Sequence, residues 1–383
     1  MIEEMVNYVT QGGLYVLAFL FVLSIVVFVH EFGHFWIARR CGVKIETFSI
    51  GFGPEIFGWM DRHGTCWRVA WIPMGGYVKM FGDADPASVG VSEDAKELSE
   101  EEKKIAFYTQ GVSKRFAIVA AGPGFNYLFA VILLAILFTV NGQPYTPAVV
   151  GQVIEESAAE RAGFEVGDQI MAVDGTNIRS FEALQRIITI NAGTQVKISL
   201  NRGGTAMTIE VTPDVVRLTD RLGMEHNRGR LGVVSEGSAY RELTFFAAVR
   251  ESLFETWNIT ATTLQGVGQM IMGMRGTEEL GGPLRIAEMS GKVAREGGYA
   301  LLWFIIVISI NLGLINLFPI PLLDGGHLLF YLVEGIRGRP VSERVQEYGA
   351  RAGLVVVLSL MLFATWNDLV HLRVVSFIRG LFS

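Results

Sequence analysis

The sequence predicts a polytopic α-helical membrane protein: four transmembrane helices, a β-structured loop between the first two, and an external α+β domain between the second and third. Three observations carry that prediction. Half of the 383 residues are hydrophobic, mean hydropathy is +0.38, and only 18% are charged, where a soluble domain carries about a quarter. Four stretches are long and apolar enough to cross a hydrocarbon core about 30 Å thick, which takes about 20 helical residues. Between them the pattern changes to short, Gly-punctuated, strand-like runs. The 32 basic and 38 acidic residues give a net charge of −6, so no nucleic-acid partner is expected, since that would need a basic face. The two cysteines, Cys41 and Cys66, exclude a disulfide scaffold and any CxxC metal knuckle.

Residues 1–40 hold the first transmembrane helix, apolar from Gly13 to Ile37. It is not a cleavable signal peptide: Glu3 and Glu4 stand in place of a basic n-region, and the run is too long. Residues 41–115 form a loop in two parts. From Ile45 to Phe81 the chain is rich in Phe, Trp, Ile and Val between glycines and reads as β-strands with turns. From Gly82 to Glu102 it turns acidic and small, the composition of an exposed linker. The second transmembrane helix covers 116–140. Over 144–213 the strands VVGQVI, QIMAVDG, VKISLNR and MTIEVTP surround a short helix (SAAERAG) and a longer one (SFEALQRIITINA). Residues 214–299 read as an amphipathic helical region suited to a membrane surface. The third transmembrane helix covers 300–323, a loop 324–353, the fourth helix 354–370 and a tail 371–383.

Lys and Arg set the orientation. Arg39, Arg40, Lys44, Lys103, Lys104, Lys114 and Arg115 flank the 41–115 loop, and Arg337, Arg339, Arg344 and Arg351 lie between the third and fourth spans. Residues 1–12 and 141–160 contain none. Both termini and the 141–299 segment are therefore expected outside and the two basic loops inside, where Cys41 and Cys66 would be reduced thiols.

His30-Glu31-Phe32-Gly33-His34 is an H-E-x-x-H on a helix. The i, i+4 spacing puts both imidazoles on one face, where they can hold one Zn²⁺, with Glu31 placed to move protons for a zinc-bound water. Ionisable groups inside a span are costly and mark function. A catalytic zinc takes a third protein ligand. The first and third spans run in the same direction, so His34 and Asp324 fall at similar depth, and Asp324 in Asn316-Leu317-Phe318-Pro319-Ile320-Pro321-Leu322-Leu323-Asp324-Gly325-Gly326 is the candidate, with His327 as rival. Pro319 and Pro321 should break the helix there. Gly122-Pro123-Gly124-Phe125-Asn126 lies at the same depth; its small residues permit close helix approach, and Asn126 is placed to hydrogen-bond the site. In Trp71-Ile72-Pro73-Met74-Gly75-Gly76-Tyr77, Gly75 and Gly76 allow a turn or close backbone approach.

HEFGH, GPGFN and NLFPIPLLDGG, in this order and on these spans, resemble the site-2 protease family of intramembrane zinc metalloproteases (peptidase family M50, bacterial RseP/MmpA type) over nearly the whole chain. The resemblance implies one catalytic Zn²⁺ per chain and a membrane-reentrant β-hairpin at WIPMGGYVKMFGD. It also implies substrate-backbone contacts at Asn311 and Asn316. From their own placement Asn126, Gly75 and Gly76 are further candidates for substrate binding. AAERAGFEVGDQIMAVDG resembles a PDZ domain, a site for a peptide or C-terminus or a steric filter. The expected partners are the lipid bilayer and single-pass transmembrane substrates, such as trimmed anti-sigma factors or signal-peptide remnants. The expected location is the bacterial inner membrane, with the PDZ-like domain periplasmic and the active site near the cytoplasmic side. Two competing readings are a zincin whose active site lies in a soluble domain, which would need a downstream Glu ligand, and a metal-free membrane scaffold, which leaves HExxH and Asp324 unexplained.

Overall fold

The computed structural model describes residues 2–82, 98–178, 180–219, 225–274, 276 and 281–371. The acidic linker expected from Gly82 to Glu102 falls largely outside the described residues, as does the tail beyond residue 371. The chain divides into two compact units. Unit 1 comprises 1–134, 252–263 and 278–383; unit 2 comprises 135–251 and 264–277.

Among the described residues four helices are long and apolar enough to span a membrane: Gly13–Arg40, Val112–Asn141, Gly298–Leu317 and Arg344–Val370, all in unit 1 except for residues 135–141, which fall in unit 2. They belong to α1 (Ile2–Arg40), α3 (Val112–Asn141), α8 (Gly298–Leu317) and α10 (Glu343–His371). Shorter helices are α2 (Glu100–Ile105), α7 (Pro283–Glu296) and α9 (Asp324–Arg337). α6 (Phe245–Ile271) runs through both units. Helix α8 stops at Leu317, six residues short of the expected span end, because Pro319 and Pro321 cannot continue it. The expected 324–353 loop is instead helical over α9, and α10 begins at Glu343 rather than 354. Polar residues at the start of α10 carry no apolar signal, yet nothing in them breaks a helix.

Strands β1 (Ile45–Met60) and β2 (Cys66–Met80) pair antiparallel around a turn at residues 61–65. Asp61 closes that turn by accepting the backbone N–H groups of His63 and Thr65. The hairpin turn is therefore not at Gly75-Gly76, which lie inside β2. Both strands bend and change partner: residues 47–50 pair with 66–69 on one side and with 76–79 on the other. Aromatic rings fasten this sheet to α1: Phe35, Phe48 and Trp67 have centroids 4.4–5.6 Å apart, and all three sit in one core with Ile118, Val119 and Phe107. A second core joins Val22 and Val26 of α1 to Phe304 and Ile305 of α8, with Ile286 and Val293 of α7 against it.

Unit 2 contains β3 (Gln143–Tyr145), β4 (Val150–Val153), α4 (Ala158–Arg161), β5 (Gln169–Val173), β6 (Thr176–Asn177), α5 (Phe181–Ile190), β7 (Val196–Arg202) and β8 (Thr205–Val211). It continues through β9 (Asp214–Thr219), β10 (Glu225–Arg230), β11 (Val233–Ser235) and β12 (Ala239–Arg241). The expected boundary at residue 213 is thus too early, and the described residues of 214–241 hold β-structure, not helix. β11 pairs with β4 and β12 with β3, and Leu231 is buried in the same core as Val150, Ile170, Leu184 and Ile198. Those pairings join residues about eighty or more positions apart, which leaves no local pattern to read. A cavity of about 380 Å³ opens between α5 and residues 229–233.

Asp168 is fully buried and accepts from both Arg202 Nε and Nη2 at 2.7 Å and from the Glu165 N–H at 2.9 Å. Burial alone would raise its carboxyl, but these bonds outweigh it and hold it below the usual carboxylate range. A depressed folded value means stability present above the unfolded pKa of about 3.9 and lost as pH falls through the folded one. Asp168→Asn should therefore destabilise unit 2 by about 1–3 kcal/mol at pH 7, Arg202 being partly solvated. The wild-type advantage should shrink below about pH 4. Hydrogen exchange of β5 and β7 amides in the full chain measures it; equal protection at pH 7 would contradict it.

Candidate metal centre

The site is built where α1, α3 and the end of α8 meet, and glycines let them meet. A Cβ on Gly33 of α1 would run into the Ala121 carbonyl of α3, its carbon at 2.8 Å. One on Gly313 of α8 would lie 3.1 Å from the Pro123 carbonyl. Gly122 is tighter still: a Cβ there would overlap His34 Nε2 and lie 3.0 Å from His30 Cε1. These small residues bring backbones close enough for side chains from separate helices to share one point.

His30, His34 and Asp324 each bring one ligand atom to that point, all within 4.8 Å of one another. His30 Nε2 is 3.3 Å from His34 Nε2 and 3.1 Å from Asp324 Oδ2, and His34 Nε2 is 3.5 Å from the same oxygen. Asp324 Oδ2 is buried without a hydrogen-bond partner. Two imidazole nitrogens and a carboxylate oxygen facing one another inside apolar packing are unfavourable unless a cation joins them. The donor set of two imidazole nitrogens and one carboxylate oxygen suits a first-row divalent ion such as zinc. His327 lines the same cavity but does not join the group.

The ring orientations are held from behind. His34 Nδ1–H donates to the Ile118 carbonyl at 3.0 Å. His30 Nδ1 faces the Asn126 side-chain amide at 3.2 Å. Asp324 arrives by a turn: Pro319 and Pro321 follow α8, Leu322 takes φ +93°, and α9 starts at Asp324.

A cavity of about 190 Å³ opens on these groups, lined by His30, Glu31, His34, Gly76, Asn316 and Asp324 among others. Gly76 is where the sheet touches the site: a Cβ there would lie 2.7 Å from the Ser49 carbonyl oxygen and 3.1 Å from Glu31 Cγ. Gly75 faces elsewhere, with φ +141° and the Phe52 ring occupying its Cβ position. Asn316 lines the cavity, whereas Asn311 Oδ1 accepts a hydrogen bond from Thr263 of α6 at 3.1 Å. Asn126 is fully buried behind His30, a place suited to supporting that ring rather than touching a substrate. Sequence reasoning misses the Ile118 carbonyl, because backbone acceptors leave no residue signature.

Gly122→Ala should improve helix propensity by about 1 kcal/mol yet push the histidines apart. We expect α3 to stay helical and affinity for a divalent ion to fall at least about tenfold. Circular dichroism with metal titration tests this; unchanged affinity would show that the rings move aside at no cost.

Known proteins match this chain over most of its length. The model of peptidase family M50 matches residues 18–360. Metalloprotease MmpA of Caulobacter vibrioides is 36% identical over 387 aligned positions, covering 95% of this chain and 97% of its own. Two proteins named "Putative zinc metalloprotease" are closer in identity: that of Agrobacterium fabrum at 40%, covering 93% and 95%, and that of Mesorhizobium japonicum at 42%, covering 92% and 97%. The PDZ domain of an SdrC-like protein from Listeria monocytogenes overlays 24% of this chain and 88% of its own, at 18% identity and a TM-score of 0.18, too low to carry an argument. Family match, identity and coverage agree, and the chain belongs to peptidase family M50, as a zinc metalloprotease integral to a membrane.

Proposed function

We propose that this protease cuts transmembrane segments of single-pass membrane proteins within the bilayer, with His30, His34 and Asp324 holding one zinc and Glu31 as general base and acid. The observation that carries the reading is the convergence of three ligand atoms, two from inside the apolar helix α1 and one from the residue that follows the turn after apolar α8. Zinc bound there supplies Lewis acidity toward a peptide carbonyl and makes water a nucleophile near neutral pH. Glu31, half-buried at the cavity, takes a proton from the attacking water and returns one to the leaving amine nitrogen. Asn316 contacts substrate backbone.

A helical substrate hides its carbonyls in i→i−4 bonds, so it must be drawn out before it is cut. Residues 76–80 border the cavity and pair with 45–50 along one side; no further strand pairs with β2 among the described residues. Strand addition there keeps an unwound substrate extended. The far end of the sheet exposes Phe57 at 62% and Trp71 at 68%, rings that suit immersion in lipid. In this reading the basic loops are cytoplasmic, the membrane is the bacterial inner membrane, and unit 2 is a periplasmic PDZ-like filter that rejects substrates with bulky outer domains, leaving trimmed anti-sigma factors or signal-peptide remnants.

His30→Ala, His34→Ala and Asp324→Ala should each lose zinc, whereas Glu31→Gln should keep it and lose at least about 10²-fold in cleavage. Metal analysis and an assay on a single-pass substrate test the four variants; full zinc occupancy in the Asp324 variant would remove it from the ligand set.

The filter has its own test. Tyr145 and Ala239 face each other across the β3–β12 pair, so residues 146–238 can be replaced by a short Gly-rich turn. That variant should bind zinc normally and accept an untrimmed substrate that the full chain refuses. Continued refusal, with the trimmed substrate still cut, would end the filter reading.

A further inference from the structure

A neutral imidazole carries one N–H. If His30 offers the Nε2 lone pair to zinc, its proton sits on Nδ1, and a buried N–H needs an acceptor. His34 has one in the Ile118 carbonyl. His30 Nδ1 instead meets the Asn126 side chain, and the atom opposite it is the amide nitrogen, at 3.2 Å. Donor then faces donor, while Asn126 Oδ1 is buried with no hydrogen-bond partner. Both faults have one cure. The amide oxygen and nitrogen are nearly the same size, so their assignment rests on hydrogen bonding alone. A half-turn of the amide brings Oδ1 onto His30 Nδ1–H and leaves only the nitrogen to be met.

We propose that Asn126 is a positioning residue for the metal centre, accepting the His30 Nδ1–H through Oδ1 and so fixing that ring's tautomer and direction. This rests on the zinc-ligand reading above. The surroundings hold the residue firmly: it is fully buried, and its backbone carbonyl accepts from Ser309 Oγ of α8 at 3.0 Å. That bond ties the segment of α3 behind His30 to the helix whose end delivers Asp324. Carboxylates and carbonyls hold metal-bound histidines from behind in the same way. Asn126 thereby serves the ligand and not the substrate.

The test measures zinc affinity by chelator competition in wild type, Asn126→Leu, Asn126→Asp and His34→Ala. Leucine keeps the shape and removes the polar atoms; aspartate accepts on both oxygens and donates on neither. The Leu variant should bind zinc about 10–100-fold more weakly, and the Asp variant should stay within a few-fold of wild type or tighter. Wild-type affinity in the Leu variant, as expected of a residue that touches only substrate, would overturn the proposal. So would an Asp variant weakened tenfold or more, which means that donation was required; this arm decides the matter even if the Leu variant fails to fold. His34→Ala reports on the ligand set alone. Undiminished zinc binding there removes the underlying reading, whereas its loss together with an indifferent Asn126 removes only this inference.

Discussion

Two imidazole nitrogens and a carboxylate oxygen must share one point inside apolar helix packing, and the rest of unit 1 follows from that demand. Polar groups at membrane depth are costly unless they are paired or bind an ion, so the walls around them have to be near and fixed. Association between apolar helices in lipid gains nothing from the hydrophobic effect and relies on close contact. Gly33, Gly122 and Gly313 provide that contact at the faces where α1, α3 and α8 meet. Gly122 has the sharpest role, since the space a methyl would fill is already taken by the two imidazoles.

The carboxylate reaches the site by a less comfortable path. Leu322 sits at φ +93°, a region that costs a non-glycine residue on the order of 1–3 kcal/mol. The turn that imposes it is closed on several sides: Gly325 and Gly326 press against the backbone of Leu317–Pro321, and Gly353 of α10 abuts the Pro321 carbonyl. The N-cap place, from which a carboxylate would accept N–H groups of the helix, is held by Leu323, and Asp324 follows as the first residue of α9. Here the Gly326 N–H bonds back to the Leu323 carbonyl instead, and Asp324 Oδ2 stays free to face the histidines. The strained turn thus withholds a carboxylate from its local partners and aims it across the bundle.

These features differ in how legible they are in the sequence. His30 and His34 follow from helical periodicity, and Asp324 from span direction and depth, because a membrane turns topology into a coordinate. The four spans are equally plain, apart from ends that polar residues extend, as in α10. The hairpin turn is easily misplaced because Gly75 and Gly76 serve a bend and a close approach inside β2, while the true turn at 61–65 is held by Asp61, a side-chain device that composition does not reveal. The 214–241 strands are hidden for another reason: β11 and β12 gain their partners from strands about eighty or more residues earlier. The support behind each histidine can be read only in part, since one acceptor is a backbone carbonyl.

The sheet shows how these constraints meet the chemistry. Peptide hydrolysis loses orders of magnitude when reacting groups are misplaced by about an ångström, so under the proposed function an edge that presents substrate to Glu31 must be rigid beside the site. The near end meets that need. Phe35, Phe48 and Trp67 lock β1 and β2 onto α1, the same helix that carries His30, Glu31 and His34. Glu31 and the strand edge are therefore referenced to one rigid body, and Gly76, lacking a side chain, sets their separation at backbone contact. A side chain at Gly76 would push the edge outward or Glu31 aside, and in the proposed mechanism either displacement separates Glu31 from the leaving amine nitrogen it protonates. The far end, with its exposed rings, has no such duty.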